Sequence, residues 1–300
     1  MVSPSPIKPL RGARIVSLAL NLPGPGAMMR LRGWGARCVK IEPPAPPGTP
    51  SGDPMGQYAR HAYDAMHEGV RVMTADLKTD KGQATLHREL ARTDVLITSF
   101  RPSALTKLGL GWKALHASHP QLSLVTIVGA PGERAEEPGH DLTYLAEAGL
   151  VPGLDLPASL FADMAGALMT SEAVLAAVLA SRAGGKGTRQ EIALSEAARW
   201  LALPRTWGLT EATGTVGGAH AGYRVYACKD GRVAFAALEP HFAAALCQVA
   251  GLPVPDRNTV FEPATRQAIE QWAAGKTRAQ LNTLSVKHDI PLYTMPRQKA

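Results

Sequence analysis

Short apolar runs alternate with longer helical stretches through the first two thirds of the chain. Strand-like runs rich in β-branched and aliphatic residues occupy residues 13–20, 38–41, 70–75, 94–98, 122–128 and 188–194. Helical stretches occupy residues 26–33, 81–92, 163–182 and 195–203. Strands separated by helices of this length predict βαβ units and a mostly parallel sheet. Six prolines between residues 43 and 56 predict a connector without regular structure.

The last third of the chain has a different pattern. A glycine-rich stretch at residues 214–222 indicates a domain boundary. Residues 223–227 and 232–238 then predict a hairpin that turns at Asp230-Gly231, followed by helices at 240–250 and 265–274. The predicted fold class is α/β, with a Rossmann-like parallel sheet in a large domain of residues 1–200. A linker at 201–222 leads to a smaller α+β domain at 223–285.

Composition limits the function classes. With 45% hydrophobic and 19% charged residues, a disordered chain of 300 residues is excluded. The net charge of +7 is dispersed, and only 5% of residues are aromatic, so a small polyanionic ligand fits better than nucleic acid. The longest uninterrupted apolar runs, such as 173–180, are too short to span a bilayer. Three scattered cysteines and the lack of a signal layout predict a cytoplasmic protein without a membrane partner.

Several kinds of catalytic site are absent from the sequence. It contains no HExxH motif and no cysteine cluster, so no metal site is predicted. It also lacks a GxSxG elbow and a phosphate loop, and the glycines at 184–187 precede a strand, which indicates a plain turn. Because the first strand is followed by Leu-Pro-Gly-Pro-Gly rather than GxGxxG, nicotinamide chemistry is not expected.

Four titratable residues stand at predicted helix starts and are the candidates for acid–base chemistry. His140 and Asp141 open one helical segment, Asp163 opens the long helix, and Glu239 precedes Pro240. Asp141 and Asp163 also fit ordinary N-cap roles, and His140 alone fits a loop histidine. Glutamate is not a favoured N-cap residue. If these groups converge, helix N-termini would stabilise an anionic intermediate while the side chains move protons.

The segments around these residues resemble the family III CoA-transferases, a family that includes formyl-CoA transferase and α-methylacyl-CoA racemase. The resemblance is carried by residues 9–44, 75–115, 184–198 and 223–242. The racemase branch of the family has a GHD-x-x-Y segment, an aspartate before the long helix and a Glu-Pro pair in the small domain. This chain has GHDLTY from Gly139 to Tyr144, then Asp163 and Glu239-Pro240.

The resemblance implies three alternative functions. In the racemase reading, His140, paired with Glu239, and Asp163 flank the α-carbon of a 2-methylacyl-CoA and move its C2 proton. This chemistry needs no cofactor, because the thioester carbonyl supports an enolate. In the transferase reading, Asp141 attacks the thioester and carries CoA between carboxylic acids as an aspartyl-CoA intermediate. In the third reading, the chain is a weakly active CoA-binding homologue.

The resemblance also implies a binding site for CoA, which is part of the substrate, and an interlocked homodimer. Residues 286–300 would form a shortened C-terminal segment that returns toward the large domain. The sequence departs from the family pattern at Pro43, Ser99, Thr143 and Ala162, where relatives carry arginine, asparagine, asparagine and glycine. The residues expected in the binding site are Ala75, Lys78, Ser99, Phe100, Arg101, Lys107, Gly139 and Tyr144.

Overall fold

Six parallel strands form the sheet predicted for the first two thirds of the chain. The structure is a computed structural model that describes residues 7–297. Its contacts divide into one unit of Met1–Ala202 and another of Leu203–Ala300. The elements of the first unit are β1 (Arg14–Ser17), α1 (Pro23–Gly33), β2 (Arg37–Glu42), α2 (Pro54–Tyr58), α3 (Arg60–His67), β3 (Arg71–Thr74), α4 (Asp80–Leu90), β4 (Val95–Thr98), α5 (Pro102–Lys107), α6 (Trp112–Ser118), β5 (Ser123–Val128), α7 (Asp141–Glu147), α8 (Phe161–Arg182), β6 (Arg189–Ala193) and α9 (Leu194–Leu201).

The order of the strands determines where a ligand site can form. It is β3-β2-β1-β4-β5-β6, and every pairing is parallel. Strands β2 and β3 are added on one side of β1. The chain then crosses to the other side of β1, where β4, β5 and β6 follow in order. In open parallel sheets, ligands bind beyond the carboxyl ends of the strands at such a reversal. The predicted α/β class and parallel sheet are confirmed.

Helices cover both faces of this sheet. On one face, buried side chains of β1, β4 and β5 pack with those of α1, α8 and α9. On the other face, Leu86 and Leu90 of α4 and Leu105 of α5 pack against Val16, Leu96 and other strand residues. Burying both faces explains why the strands are continuous apolar runs rather than alternating patterns.

Helix α8 is the longest helix of this unit, as predicted, although it begins two residues before Asp163. It is the one helix within residues 7–297 that is long and apolar enough to cross a membrane by length and composition. Half of its apolar window is buried inside the protein, where Val174 and Ala177 join the core beneath the sheet. The sequence prediction considered only uninterrupted apolar runs, so it did not single this helix out.

The second unit is built on a three-stranded antiparallel sheet of order β7-β8-β9. The hairpin is confirmed, since Cys228 pairs with Gly231 across the predicted turn. Buried residues of the strands pack against the following helices, including Leu246, Ile269 and Leu281. Its elements are α10 (Leu203–Thr206), β7 (Tyr223–Cys228), β8 (Gly231–Ala236), α11 (Pro240–Val249), α12 (Pro263–Ala274), α13 (Arg278–His288) and β9 (Leu292–Pro296).

Two expectations about connecting segments need correction. The proline-rich connector ends earlier than expected, because Pro54 begins α2 with Asp53 as its N-cap, and the Asp53 carboxylate accepts from Met55 N–H. The C-terminal segment 286–300 was expected to return toward the large domain. Instead Leu292–Pro296 forms β9, which pairs with β8 in the small sheet. The interlocked dimer and the linker at 201–222 stay predictions.

Candidate functional site

A cleft of about 190 Å³ lies at the carboxyl ends of the parallel strands, where the strand order reverses. Its walls come from the segments that follow β1, β4, β5 and β6 and from the starts of α7 and α8. These elements are far apart in sequence and meet only because their strands share one sheet edge. The residues that line the cleft are Leu20, Asn21, Pro23, Ser99, Phe100, Arg101, Ile127, Val128, Gly129, Ala135, Glu137, Gly139, His140, Tyr144, Asp163 and Leu194.

His140 occupies the N-cap position of α7 and is exposed in the cleft. Its backbone has extended dihedral angles, and the Thr143 hydroxyl ties both of its backbone groups. That hydroxyl accepts from His140 N–H at 3.1 Å and donates to the His140 carbonyl at 2.7 Å. Thr143 therefore fixes the backbone at His140.

Asp163 is the third residue of α8 and is half-buried in the same cleft. Its backbone N–H is one of the unpaired donors in the first turn of the helix. Asp141 satisfies that donor, because its Oδ1 accepts from Asp163 N–H at 3.0 Å. Asp141 itself is only 5% exposed and does not line the cleft. The two aspartates therefore have different positions: Asp163 lines the cleft and Asp141 lies buried behind it.

The environment of Asp163 favours its protonated form. Burial, and to a smaller extent the negative charge of Asp141, together raise the pKa of the Asp163 carboxyl to about 6. No lysine, arginine or histidine of the described residues lies within ion-pair distance of either aspartate. A carboxyl that titrates close to neutral pH can both give and take a proton there.

Tyr144 forms a wall of the cleft and requires two glycines beside it. A Cβ atom at Gly139 would lie 2.6 Å from the Tyr144 hydroxyl, and one at Gly129 would also overlap that oxygen. Burial raises the pKa of the Tyr144 hydroxyl, as does the charge of Asp163, while Arg101 lowers it. The predicted site residues Gly139 and Tyr144 thus belong to the cleft that holds His140 and Asp163.

The residues expected to bind CoA are divided by the structure. Ser99, Phe100 and Arg101 line the cleft after β4, and Ser99 Oγ accepts from Leu20 N–H at 3.3 Å, which joins the ends of β1 and β4. Lys78 and Lys107 do not line this cleft, although both are exposed.

Ala75 is also outside the cleft. It follows β3, is 7% exposed and packs into the core. The assignment of Ala75 as a contact residue for CoA stays a prediction.

Glu239 belongs to the second unit. As predicted, it is extended and directly precedes α11, with Pro240 at the first helical position. Its pairing with His140 stays a prediction. No group of three or more potential metal ligands occurs among residues 7–297.

Sequence reasoning missed two features beside the cleft. Asn21 lines it in the left-handed conformation, with φ of 61°. Behind Asn21 lies a buried cluster around Lys40, whose ammonium pairs with Asp53 and with Glu42. Lys40 lies inside β2 between Val39 and Ile41, and no sequence signal indicates that its side chain is buried.

Comparison with curated proteins finds relatives of two activities. The alpha-methylacyl-CoA racemase of Homo sapiens is 28% identical over 293 residues, which cover 90% of this chain and 73% of that enzyme. The succinyl-CoA–D-citramalate CoA-transferase of Chloroflexus aurantiacus is 35% identical over 136 residues, or 43% of this chain and 33% of that enzyme. The cinnamoyl-CoA:phenyllactate CoA-transferase of Clostridium sporogenes is 33% identical over 184 residues, or 52% of this chain and 44% of that enzyme. The matches therefore span less than half the length of these two transferases.

Comparison with solved structures finds proteins of the same fold. A hypothetical protein from Mycobacterium tuberculosis superposes with a TM-score of 0.81 at 25% identity, covering 96% of this chain and 84% of that one. A CaiB/BaiF family protein from Brucella suis superposes with a TM-score of 0.77 at 24% identity, covering 95% of this chain and 83% of that one, and shares the fold. The family model for CoA-transferase family III matches residues 10–296. The chain therefore belongs to CoA-transferase family III.

Proposed function

We propose that this protein is a racemase or epimerase that moves the C2 proton of a 2-methylacyl-CoA. The observation that carries the proposal is that His140 and Asp163 line one cleft at the carboxyl edge of the sheet. Inversion at carbon requires one group to remove a proton and another to return it on the opposite face. An imidazole and a carboxyl of raised pKa are suited to those two roles.

The proposed reaction proceeds through an enolate. One base takes the C2 proton, the C2–H electron pair moves into the thioester carbonyl, and the second acid returns a proton to the other face of C2. Which residue acts first depends on the enantiomer bound. CoA enters as part of the substrate, and the proposed reaction uses no further cofactor. In this proposal Ser99, Phe100 and Arg101 contact its pantetheine arm or phosphates, and the support for this assignment is that they line the same cleft.

The raised pKa of Asp163 supports this role. A carboxyl of ordinary acidity would be almost fully ionised at neutral pH and would return a proton poorly. Burial and the Asp141 charge bring the pKa of Asp163 to about 6, so both protonation states are accessible near neutral pH. Asp141 then acts as a positioning residue, because it holds Asp163 N–H and supplies the nearby charge.

CoA transfer is the second candidate, favoured by the transferases among the relatives. The expected nucleophile, Asp141, is 5% exposed, and its Oδ1 is occupied by Asp163 N–H. The carboxylate that lines the cleft is Asp163. In a transfer reaction, Asp163 is therefore better placed than Asp141 to attack a thioester. The pH dependence of such an attack would follow ionisation of the same carboxyl.

The decisive experiment is incubation of one enantiomer of a 2-methylacyl-CoA in D2O without any acceptor acid. We expect deuterium at C2 together with inversion, measured by mass spectrometry and chiral chromatography. His140→Ala and Asp163→Asn should each reduce the rate by about 10²–10⁴-fold, the usual contribution of a general acid or base. Matched controls are His61→Ala and Asp155→Asn, which change exposed residues outside the cleft.

The outcomes separate the three readings. Exchange that survives both cleft substitutions would refute the racemase proposal. If no exchange occurs but an added carboxylic acid accepts CoA, the protein is a transferase, and borohydride should trap an adduct on an aspartate. Peptide mapping then identifies that aspartate as residue 163 or 141. Tight binding of the thioester without either reaction would support the CoA-binding homologue.

A further inference from the structure

The backbone of Asn21 is held in an unusual conformation at the edge of the cleft. Its φ of 61° lies in the left-handed region, which glycine and asparagine tolerate better than other residues. Asn21 N–H donates to Asp53 Oδ1 at 3.1 Å, and the preceding Leu20 N–H donates to Ser99 Oγ at 3.3 Å. Two side chains from other elements therefore fix consecutive residues of this loop.

The group that holds Asn21 is itself firmly held. Asp53 has no exposed surface, and its carboxylate also accepts from Met55 N–H at 2.9 Å and pairs with Lys40 Nζ. Lys40 is 1% exposed, and its ammonium also contacts Glu42 at 3.3 Å and His67 Nε2 at 3.0 Å. A buried cluster of this kind resists rearrangement, because breaking any pair leaves a charge without a partner.

The side-chain amide of Asn21, in contrast, has no partner. Asn21 is half-buried and lines the cleft together with His140 and Asp163, yet its amide makes no hydrogen bond to any residue in the range 7–297. The left-handed backbone alone does not require asparagine, since glycine adopts that conformation more readily. The amide is thus a hydrogen-bond donor and acceptor that is open to water in the cleft, on a backbone position that is fixed.

An unsatisfied amide affects which acyl group binds well. A hydrocarbon chain that covers it removes its water without replacing the hydrogen bonds, which opposes binding. A hydroxyl both donates and accepts, so it can satisfy the carbonyl oxygen and the NH₂ of an amide in turn. We propose that Asn21 is a specificity-determining residue that selects acyl-CoA substrates with a hydroxyl group on carbon 3, the carbon next to carbon 2. This inference rests on the proposed function for the identity of the reacting carbon.

The test compares two thioesters of the same shape. In 3-hydroxy-2-methylpropanoyl-CoA and 2-methylbutanoyl-CoA, a hydroxyl in one replaces a methyl in the other. Dissociation constants are measured by calorimetry for the full-length protein, with the thioesters checked by chromatography afterwards. We expect the wild-type protein to bind the hydroxylated thioester roughly tenfold or more tightly, the discrimination that one well-placed hydrogen bond gives.

The variant Asn21→Gly removes the amide and keeps a residue that accepts φ of 61°. It should lose the preference through weaker binding of the hydroxylated thioester, while 2-methylbutanoyl-CoA binds at least as well as before. Retained binding of the hydrocarbon thioester and an unchanged melting temperature show that the variant is folded.

Equal binding of both thioesters by the wild-type protein would overturn the inference. A preference for the hydroxylated thioester that persists in Asn21→Gly would overturn it as well. So would an equal loss of affinity for both thioesters in a folded variant, because the amide would then contact the part of the ligand that both share. Because each thioester is used as a racemate, turnover at C2 leaves the ligand mixture unchanged, and the result does not depend on the racemase activity. A hydroxyl preference with no C2 exchange would overturn the proposed function and leave the role of Asn21 standing.

Discussion

The buried cluster around Lys40 predicts a large loss of stability when its one cation is removed. In the variant Lys40→Met, a side chain of similar length replaces the ammonium. Asp53 and Glu42, which are 0% and 4% exposed, then lose the charge that compensates them. His67 does not replace that charge at pH 7.5, because burial is the largest cause that holds the pKa of its imidazole below the ordinary value, and its Nδ1 faces the Tyr63 carbonyl at 2.6 Å.

Removing one partner of a buried ion pair costs about 3–5 kcal/mol, and this site matches that case because both carboxylates stay buried. We expect Lys40→Met to fall within that range at pH 7.5, measured by urea unfolding with circular dichroism. Hydrogen exchange should place the loss in β1, β2 and the segment that contains Asp53. The control is Lys113→Met, which changes an exposed lysine on α6 and should stay within about 0.5 kcal/mol of the wild type.

The loss should also depend on pH. Burial alone would raise the pKa of the Glu42 carboxyl, but hydrogen bonds from Tyr63 and Ser51 and the charge of Lys40 together hold it below its ordinary value. A lowered pKa adds stability above the ordinary pKa, and that stability is lost as the pH falls through the native pKa. Without Lys40, burial acts with less opposition and the pKa of Glu42 rises.

The variant can then relieve its uncompensated charge by taking up a proton at mildly acidic pH. The difference in unfolding free energy between wild type and Lys40→Met should therefore narrow from pH 7.5 to pH 5. A loss under about 1 kcal/mol at pH 7.5, or one that does not change with pH, would refute the assignment of Lys40 as the compensating charge.

Two further predictions concern the cleft itself. The rate in the direction in which Asp163 removes the proton should rise with pH through an apparent pKa of about 6. Asp141→Asn keeps an acceptor for Asp163 N–H but removes the charge, so the rise in rate should occur at lower pH in this variant. A rise at unchanged pH would contradict the influence of the Asp141 charge on Asp163. Gly129→Ala and Gly139→Ala should each destabilise the protein by about 1–3 kcal/mol through overlap with Tyr144. Tyr144→Phe should rescue only the alanine at Gly129, which meets chiefly the hydroxyl, because the alanine at Gly139 also meets ring carbons at 2.7 and 2.8 Å.

The parallel sheet could be predicted because its central strands β1, β4 and β5 are buried on both faces and are therefore continuous apolar runs bounded by helices. The start of α11 could be predicted for a local reason too, since proline after Glu239 restricts both residues. Helices α2 and α3 could not, because a run of prolines hides the Asp53 cap that begins α2. The β9 strand was missed because its pairing with β8 joins residues about sixty positions apart.

The roles of the titratable residues were harder to predict than their presence. Asp141 and Asp163 both stand near helix starts, and nothing local distinguishes a carboxylate that lines a cleft from one buried behind it. The difference appears only when α7 and α8 meet and Asp141 reaches the first turn of the neighbouring helix. Asp53 and Lys40 present the same difficulty, since they are 13 positions apart and their pairing depends on the fold.

Two buried carboxylates beside the cleft do the same structural task under different electrostatic conditions. Asp53 holds the backbone N–H of Asn21, and Asp141 holds the backbone N–H of Asp163. Lys40 neutralises Asp53, so that carboxylate positions the loop without raising the pKa of a cleft residue. Within the described residues Asp141 has no cation beside it, and its charge raises the pKa of Asp163. Burial of Asp163, with the uncompensated charge of Asp141 as the second cause, therefore lets this carboxyl give and take a proton near neutral pH.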